Sequence, residues 1–292
     1  MKKKTTMILI TLLILFVGIG ITIREQQEDT NLLPSKTKEV NEDDVNTQKK
    51  ENENVSKGET STPADFLSKE FFTTIKRTIH YLSGKNLRIV AIGDSLTQGV
   101  GDNTGQGGYV GILDTYINRD KKIATFENLG LRGNRTDQLI NRLNEPAIKE
   151  SIQNADIILI TIGANDIMKV LEENFMNITY KAFSDERVYY EKRLREIFSK
   201  MNALNPNASI YLIGFYNPFQ QYFQHIKELD MIVDDWNNTS KKVAEDYGVT
   251  FIPTKDLFIN TNNNLFADDH FHPNENGYQL MAERILKYLV IE

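Results

Sequence analysis

The sequence predicts an α/β protein, a three-layer α/β/α sandwich around a five-stranded parallel sheet. Two patterns predict it. Continuous runs of Val, Ile and Leu recur at strand length without polar alternation, as strands covered on both faces do. Amphipathic stretches of helical length separate those runs, the alternation from which crossover-connected parallel sheets are built. No internal repeat is visible.

The first 24 residues are a different material. Lys2, Lys3 and Lys4 precede an uncharged apolar run from Met7 to Ile23. At 1.5 Å per residue that run covers roughly 25 Å, close to a bilayer's hydrocarbon thickness. It reads as an uncleaved signal anchor or a cleaved signal peptide, with only Gly18 and Gly20 offering a small-residue cleavage site. The lysines keep the N-terminus cytoplasmic, so the rest of the chain is expected outside, on the extracytoplasmic face or secreted. Residues 25–63 contain no aromatic side chain and are rich in Glu, Asp, Lys, Asn, Gln, Ser and Thr. Such a stretch buries too little apolar surface to offset its ordering entropy and is expected to be a disordered polar linker. The folded domain is expected over 64–292.

That domain opens with a helix in "STPADFLSKEFFTTIKRTIHYLSG", capped by Thr62, with Pro63 at its first position and Gly84 at its end. The five strands are expected at Leu87–Ile92, Ile123–Asn128, Asp156–Ile162, Ser209–Phe215 and Val249–Ile252. Between and after them, "TDQLINRLN", "YYEKRLREIFSKMNAL", "ELDMIVDDWNNTSKKVAEDYG" and "NENGYQLMAERILKYL" read as helices. The insert from Met168 to Ser184 reads as a flap or as a plain loop and helix.

Composition removes several chemistries. The 292 residues include no cysteine, which excludes disulfides, thiolate catalysis and Cys-ligated zinc. With 34 basic against 40 acidic residues there is no cationic footprint for nucleic acid. G-x-G-x-x-G fails at Thr104 and the phosphate-gripping G-x-x-x-x-G-K-[ST] is absent, so no cofactor is expected. Chemistry rests on Ser, Asp, Glu, Asn and the four histidines, His80, His225, His270 and His272. His80 and His225 read as ordinary helix residues.

In an open parallel sheet, ligands bind beyond the carboxyl ends of the strands. Ser95 follows the first strand, "NLGLRGN" the second, "GAND" the third and "FYNPF" the fourth, while "DDHFHP" precedes the last helix. Five segments are thus expected to converge on one edge. Ser95 has three readings there: a nucleophile, a phosphate-loop residue or a helix cap. An α/β-hydrolase elbow is excluded, because Thr97 stands where its second glycine belongs. As a nucleophile Ser95 needs an imidazole base and an orienting carboxylate. His272, three residues after Asp269 and stiffened by Pro273, fits better than His270, whose side chain would diverge from the adjacent Asp269. An oxyanion needs donors. The Ser95 and Gly133 N–H groups and the Asn165 amide are candidates, though Asn165 also reads as a turn residue. Asp94 reads as a cap on the following turn, and Asp166 as a brace for the Asn165 loop. A rival cluster of Asp268, Asp269, His270 and His272 has the ligand types of a zinc or manganese site, for a metal-dependent hydrolase. A non-catalytic surface module binding glycan or lipid is the other alternative.

"GDSLTQG", "NLGLRGN", "GAND" and "DHFHP", in that order from Leu87 to Leu289, resemble the ordered blocks of the GDSL, or SGNH, family of lipases and acylhydrolases. The layout is most similar to membrane-anchored acylhydrolases of Gram-positive bacteria. The resemblance implies the SGNH-hydrolase, flavodoxin-like fold and a serine esterase acting on carboxylic esters or thioesters through an acyl-serine. It implies Ser95 as nucleophile, Asp269 and His272 as carboxylate and base, and Ser95, Gly133 and Asn165 as the oxyanion hole, without metal. Lipid esters, acetylated wall sugars and acyl thioesters are all compatible substrates. "LRGNRT" departs from many relatives in carrying Arg132 and Arg135. The aromatics of "GFYNPFQQYFQ" read equally as the lining of an acyl groove or as packing under the next helix.

Overall fold

The computed structural model describes residues 86–174, 176–218, 227–259 and 264–289, with isolated positions at 73, 76 and 77. The chain divides into two units, Met1–Thr62 and Pro63–Glu292, and the described residues lie in the second. The apolar N-terminal run, the polar linker, most of the opening helix, His80 and His225 lie outside the described residues. Among the described residues no helix is long and apolar enough to cross a membrane.

Five strands form one parallel sheet: β1 (Leu87–Gly93), β2 (Ala124–Gly130), β3 (Ile157–Thr161), β4 (Ser209–Ile213) and β5 (Thr250–Ile252), in the order β2-β1-β3-β4-β5. That is the flavodoxin-like order, with its direction of winding reversing between β1 and β3. The helices are α1 (Ser95–Gln98), α2 (Gly108–Ile117), α3 (Thr136–Arg142), α4 (Pro146–Gln153), α5 (Ala164–Glu173), α6 (Tyr180–Leu204), α7 (Lys227–Asp246) and α8 (Glu275–Leu289). A 3₁₀ turn at Lys255–Phe258 follows β5.

Successive side chains of a strand point to opposite faces, and the two central strands bury both. Ile89, Ala91, Ile157 and Leu159 pack with α2 and α8, while Val90, Ile92, Ile158 and Ile160 pack against the helices from α3 to α7. The two cores flank the sheet. Register carries the strand ends forward together, Gly93 beside Gly130 on one side and Thr161 on the other. The ends of β1, β2 and β3 therefore form one level edge, and each is followed at once by a polar segment.

All five strands lie within two residues of the expected bounds at either end. The helices differ more. The expected helix from Tyr189 begins nine residues earlier, at Tyr180, where Thr179 caps it by accepting from the Ala182 N–H. The Met168–Ser184 insert is largely the end of α5 and the start of α6, so little of it is loop.

Candidate active site

Ser95 opens α1, a single turn joined to β1 through Asp94. The Asp94 carboxylate caps that turn, accepting the Leu96 N–H at 3.0 Å and the Thr161 hydroxyl at 2.8 Å on the same oxygen. Thr161 is in turn 2.7 Å from the Thr97 hydroxyl, which is 2.9 Å from that of Tyr109. A buried polar chain thus locks the turn beneath Ser95. Burial pushes the Asp94 carboxyl up to about 6, against the opposing pull of these hydrogen bonds.

The candidate base, His272, lies on a hairpin. Phe266 and Pro273 pair antiparallel, and the Ala267 N–H donates to the His272 carbonyl at 2.8 Å. At its tip one Asp269 oxygen accepts the Phe271 and His272 N–H groups, at 3.0 and 2.9 Å, a turn that an Asp side chain makes readily. The other oxygen lies 2.5 Å from His272 Nδ1, and His272 Nε2 lies 2.8 Å from Ser95 Oγ. Burial alone would raise the Asp269 carboxyl, but the His272 ring and the two backbone donors hold it down at about 2. It is therefore ionised at neutral pH. Gly101 lets the preceding loop pack against this hairpin: a Cβ there would lie 2.5 Å from the Pro273 carbonyl and 3.0 Å from His272 Cβ.

His270, also at the tip, is exposed and in the left-handed region, at φ 56°. Among the described residues no group of three or more His, Asp or Glu side chains is placed to hold a metal ion. Asp268 and His270 do not join Asp269 and His272 in the cluster that would have formed a zinc or manganese site.

The three candidate donors sit along the level edge. Among the described residues, the Ser95 and Gly133 N–H groups have no acceptor, and Asn165 uses one amide hydrogen, on the Asn134 carbonyl at 3.1 Å. Gly133 has φ 77°, a conformation that glycine adopts without strain. The Gly133 and Asn165 segments are tied together twice. Besides the Asn165 bond, the buried Asp166 accepts the Thr136 N–H at 3.0 Å and the Thr136 hydroxyl at 2.5 Å. Arg193 of α6 completes this tie, donating to Thr136 Oγ1 at 2.6 Å and to Asp166 at 3.1 Å. Burial raises the Asp166 carboxyl, against the opposing effect of these donors. Asp166 therefore braces the neighbouring Gly133 loop to its own.

Sequence reasoning missed Asn134, Thr136 and Arg193 as contributors. Asn134 and Thr136 flank the Gly133 segment, and a search for buried acceptors beside it would have flagged them. Arg193, in the middle of an amphipathic helix, carries no local signal.

An apolar groove leads away from Ser95, with about 780 Å³ of empty space including its open side. Ile167, Met168 and Leu171 of α5 form one wall, and Ile232 and Val233 of α7 another. Phe215 and Tyr216 line it and are also buried, so they both pack and face the groove. Tyr216 additionally donates its hydroxyl to the Phe271 carbonyl at 2.9 Å, bracing the hairpin beside His272. Phe219, Tyr222 and Phe223 lie outside the described residues. Of the two arginines that depart from the pattern, Arg135 pairs with Asp137 at 3.2 Å, while the exposed Arg132 is held through its backbone N–H, on Gln98 Oε1 at 2.7 Å.

Residues 91–280 match the GDSL-like Lipase/Acylhydrolase family, spanning every segment of this site. The chain belongs to that family. It is a serine ester hydrolase. This GDSL hydrolase is 36% identical over 206 residues to the uncharacterized protein YpmR of Bacillus subtilis, covering 69% of the chain and 80% of the relative. It is 28% identical over 207 residues to the spore germination lipase LipC of Bacillus licheniformis, covering 68% of the chain and 94% of the lipase. Among solved structures, the lipase Lip_vut3 from a goat rumen metagenome superposes with a TM-score of 0.62 at 25% identity, over 68% of the chain and 95% of that lipase.

Proposed function

We propose that this GDSL hydrolase cleaves carboxylic esters or thioesters through an acyl-Ser95 intermediate, on the extracytoplasmic face of the cell membrane. The observation that carries the mechanism is the unbroken relay from Ser95 Oγ to His272 Nε2 and from Nδ1 to Asp269, at 2.8 and 2.5 Å. As Ser95 Oγ bonds to the carbonyl carbon, its proton passes to His272 Nε2 and the carbonyl π electrons move onto oxygen. The Ser95 N–H, the Gly133 N–H and the Asn165 amide donate to that oxyanion. When the carbon–leaving-group bond breaks, His272 returns its proton to the departing alcohol or thiol. Water then repeats the sequence on the acyl-enzyme and releases the acid. Asp269, its carboxyl held down at about 2 and so ionised at neutral pH, holds the ring with Nε2 toward Ser95 and stabilises the imidazolium.

The apolar groove supports a longer acyl chain rather than an acetyl group as the group carried on Ser95. Ile167, Met168, Leu171, Ile232 and Val233 give that chain an apolar lining. The three lysines and the apolar run of the N-terminus support the membrane location, as anchor or as cleaved signal. The test is covalent labelling. An alkyl fluorophosphonate should add one equivalent to the peptide bearing Ser95 and abolish esterase activity in proportion. Labelling of a different residue with the same loss of activity would refute the assignment.

A further inference from the structure

Arg142 ends α3, outside every motif that marks the site, yet its guanidinium reaches back to the strand ends. Nη2 donates to the Leu129 carbonyl of β2 at 2.7 Å, and Nη1 donates to Asn134 Oδ1 at 2.6 Å. Nη1 also lies 3.5 Å from the carbonyl of Gly93, the last residue of β1. Asn134 in turn accepts the Asn165 amide on its own carbonyl. One planar fork thus touches the end of β1 and the Gly133 segment, and reaches Asn165 through one further bond. Lysine, a point donor on a flexible stem, cannot reproduce that fork.

The partners themselves are informative. All three are neutral amide or carbonyl oxygens, although the side chain is only partly exposed. Holding a cation partly out of water against neutral groups is unfavourable unless something repays it. Burial pulls the Arg142 pKa below its ordinary value, and the charge of Glu145 opposes that shift only in part. Among the described residues no anion is a hydrogen-bond partner of the guanidinium, and in the reaction above an anion forms among the groups that Arg142 organises.

We propose that Arg142 is a positioning residue of the oxyanion hole. It fixes the Gly133 segment against Ser95 and Asn165, and its guanidinium charge favours the negative charge that develops on the ester oxygen. The proposal rests on the serine-hydrolase reading. Its test uses the full-length protein and a water-soluble ester, with rates expressed per active site titrated to completion by an alkyl phosphonate. Arg142→Met should lower kcat about 10- to 100-fold with KM within about threefold, the pattern of an interaction strengthened in the transition state. Affinity for an alkylboronic acid, which becomes a tetrahedral anion on Ser95, should fall by a similar factor. Arg142→Lys, keeping charge without the fork, should fall between Arg142→Met and wild type. It carries the same test should the methionine variant fail to fold. An unchanged kcat per titrated site would overturn the proposal, as would a loss of kcat with boronate affinity intact. Wild-type turnover that survives Ser95→Ala would instead bring down the serine-hydrolase reading, and this inference with it.

Discussion

On one side of Ser95, Asp269 and His272 share a hairpin tip three residues apart, and the carboxylate that orients the ring also takes two backbone N–H groups of the same turn. On the other side, Ser95, Gly133 and Asn165 come from three strand ends, held by Asp166, Thr136, Arg193 and Arg142 from several elements. The proposed base is fixed mainly by local turn chemistry, with Tyr216 as a tertiary brace, and the proposed hole mainly by tertiary bracing. A substitution far from the chemistry should therefore disturb the hole more readily than the base.

The largest effect that separates the sides is expected within the hairpin. His272→Ala should lose activity by several orders of magnitude, while His270→Ala, two residues away and exposed, should retain most of it. Steady-state kinetics on one soluble ester checks both, and the reverse order would place the base elsewhere. On the hole side, Asn165→Ala should lower kcat roughly 100-fold with little change in KM, because the amide acts on developing charge. An unchanged kcat would remove Asn165 from the hole.

The smallest effect concerns stability and lies beneath Ser95. The folded-state pKa of Asp94, about 6, stands above its ordinary 3.8, so between those values the native state binds more protons than the unfolded state. This contribution to stability is present below about pH 4 and is lost as pH rises through about 6. Asp94→Asn keeps an acceptor for Leu96 and Thr161 but cannot ionise. Relative to wild type, the variant should gain on the order of 2–3 kcal/mol between pH 4 and pH 7 in denaturant unfolding. A difference that does not change with pH would contradict the account of Asp94.

The same comparison explains what was legible in the sequence. The strands were, because β1 and β3 are apolar on both faces and leave no competing period. Asp269 and His272 were legible as a pair because their geometry is made within one turn. Asp94 was legible as a cap for the same reason. What stayed hidden is long-range: Arg142 and Arg193 look like any polar residues of amphipathic helices, and only the fold brings them to the strand ends. The α6 start at Tyr180 was hidden too, since exposed Tyr180, Val188 and Tyr189 blur the helical period that buried Phe183, Tyr190 and Leu194 keep.

The central claim is that Ser95 and His272 act as one unit, since proton removal by one is useless without bond formation by the other. The direct measurement is kcat for Ser95→Ala, His272→Ala and the double variant on the same ester. The two single losses should be similar, and the double variant should fall no further than either. A double-variant loss equal to the product of the two single losses would mean that the residues contribute independently, and would contradict the relay.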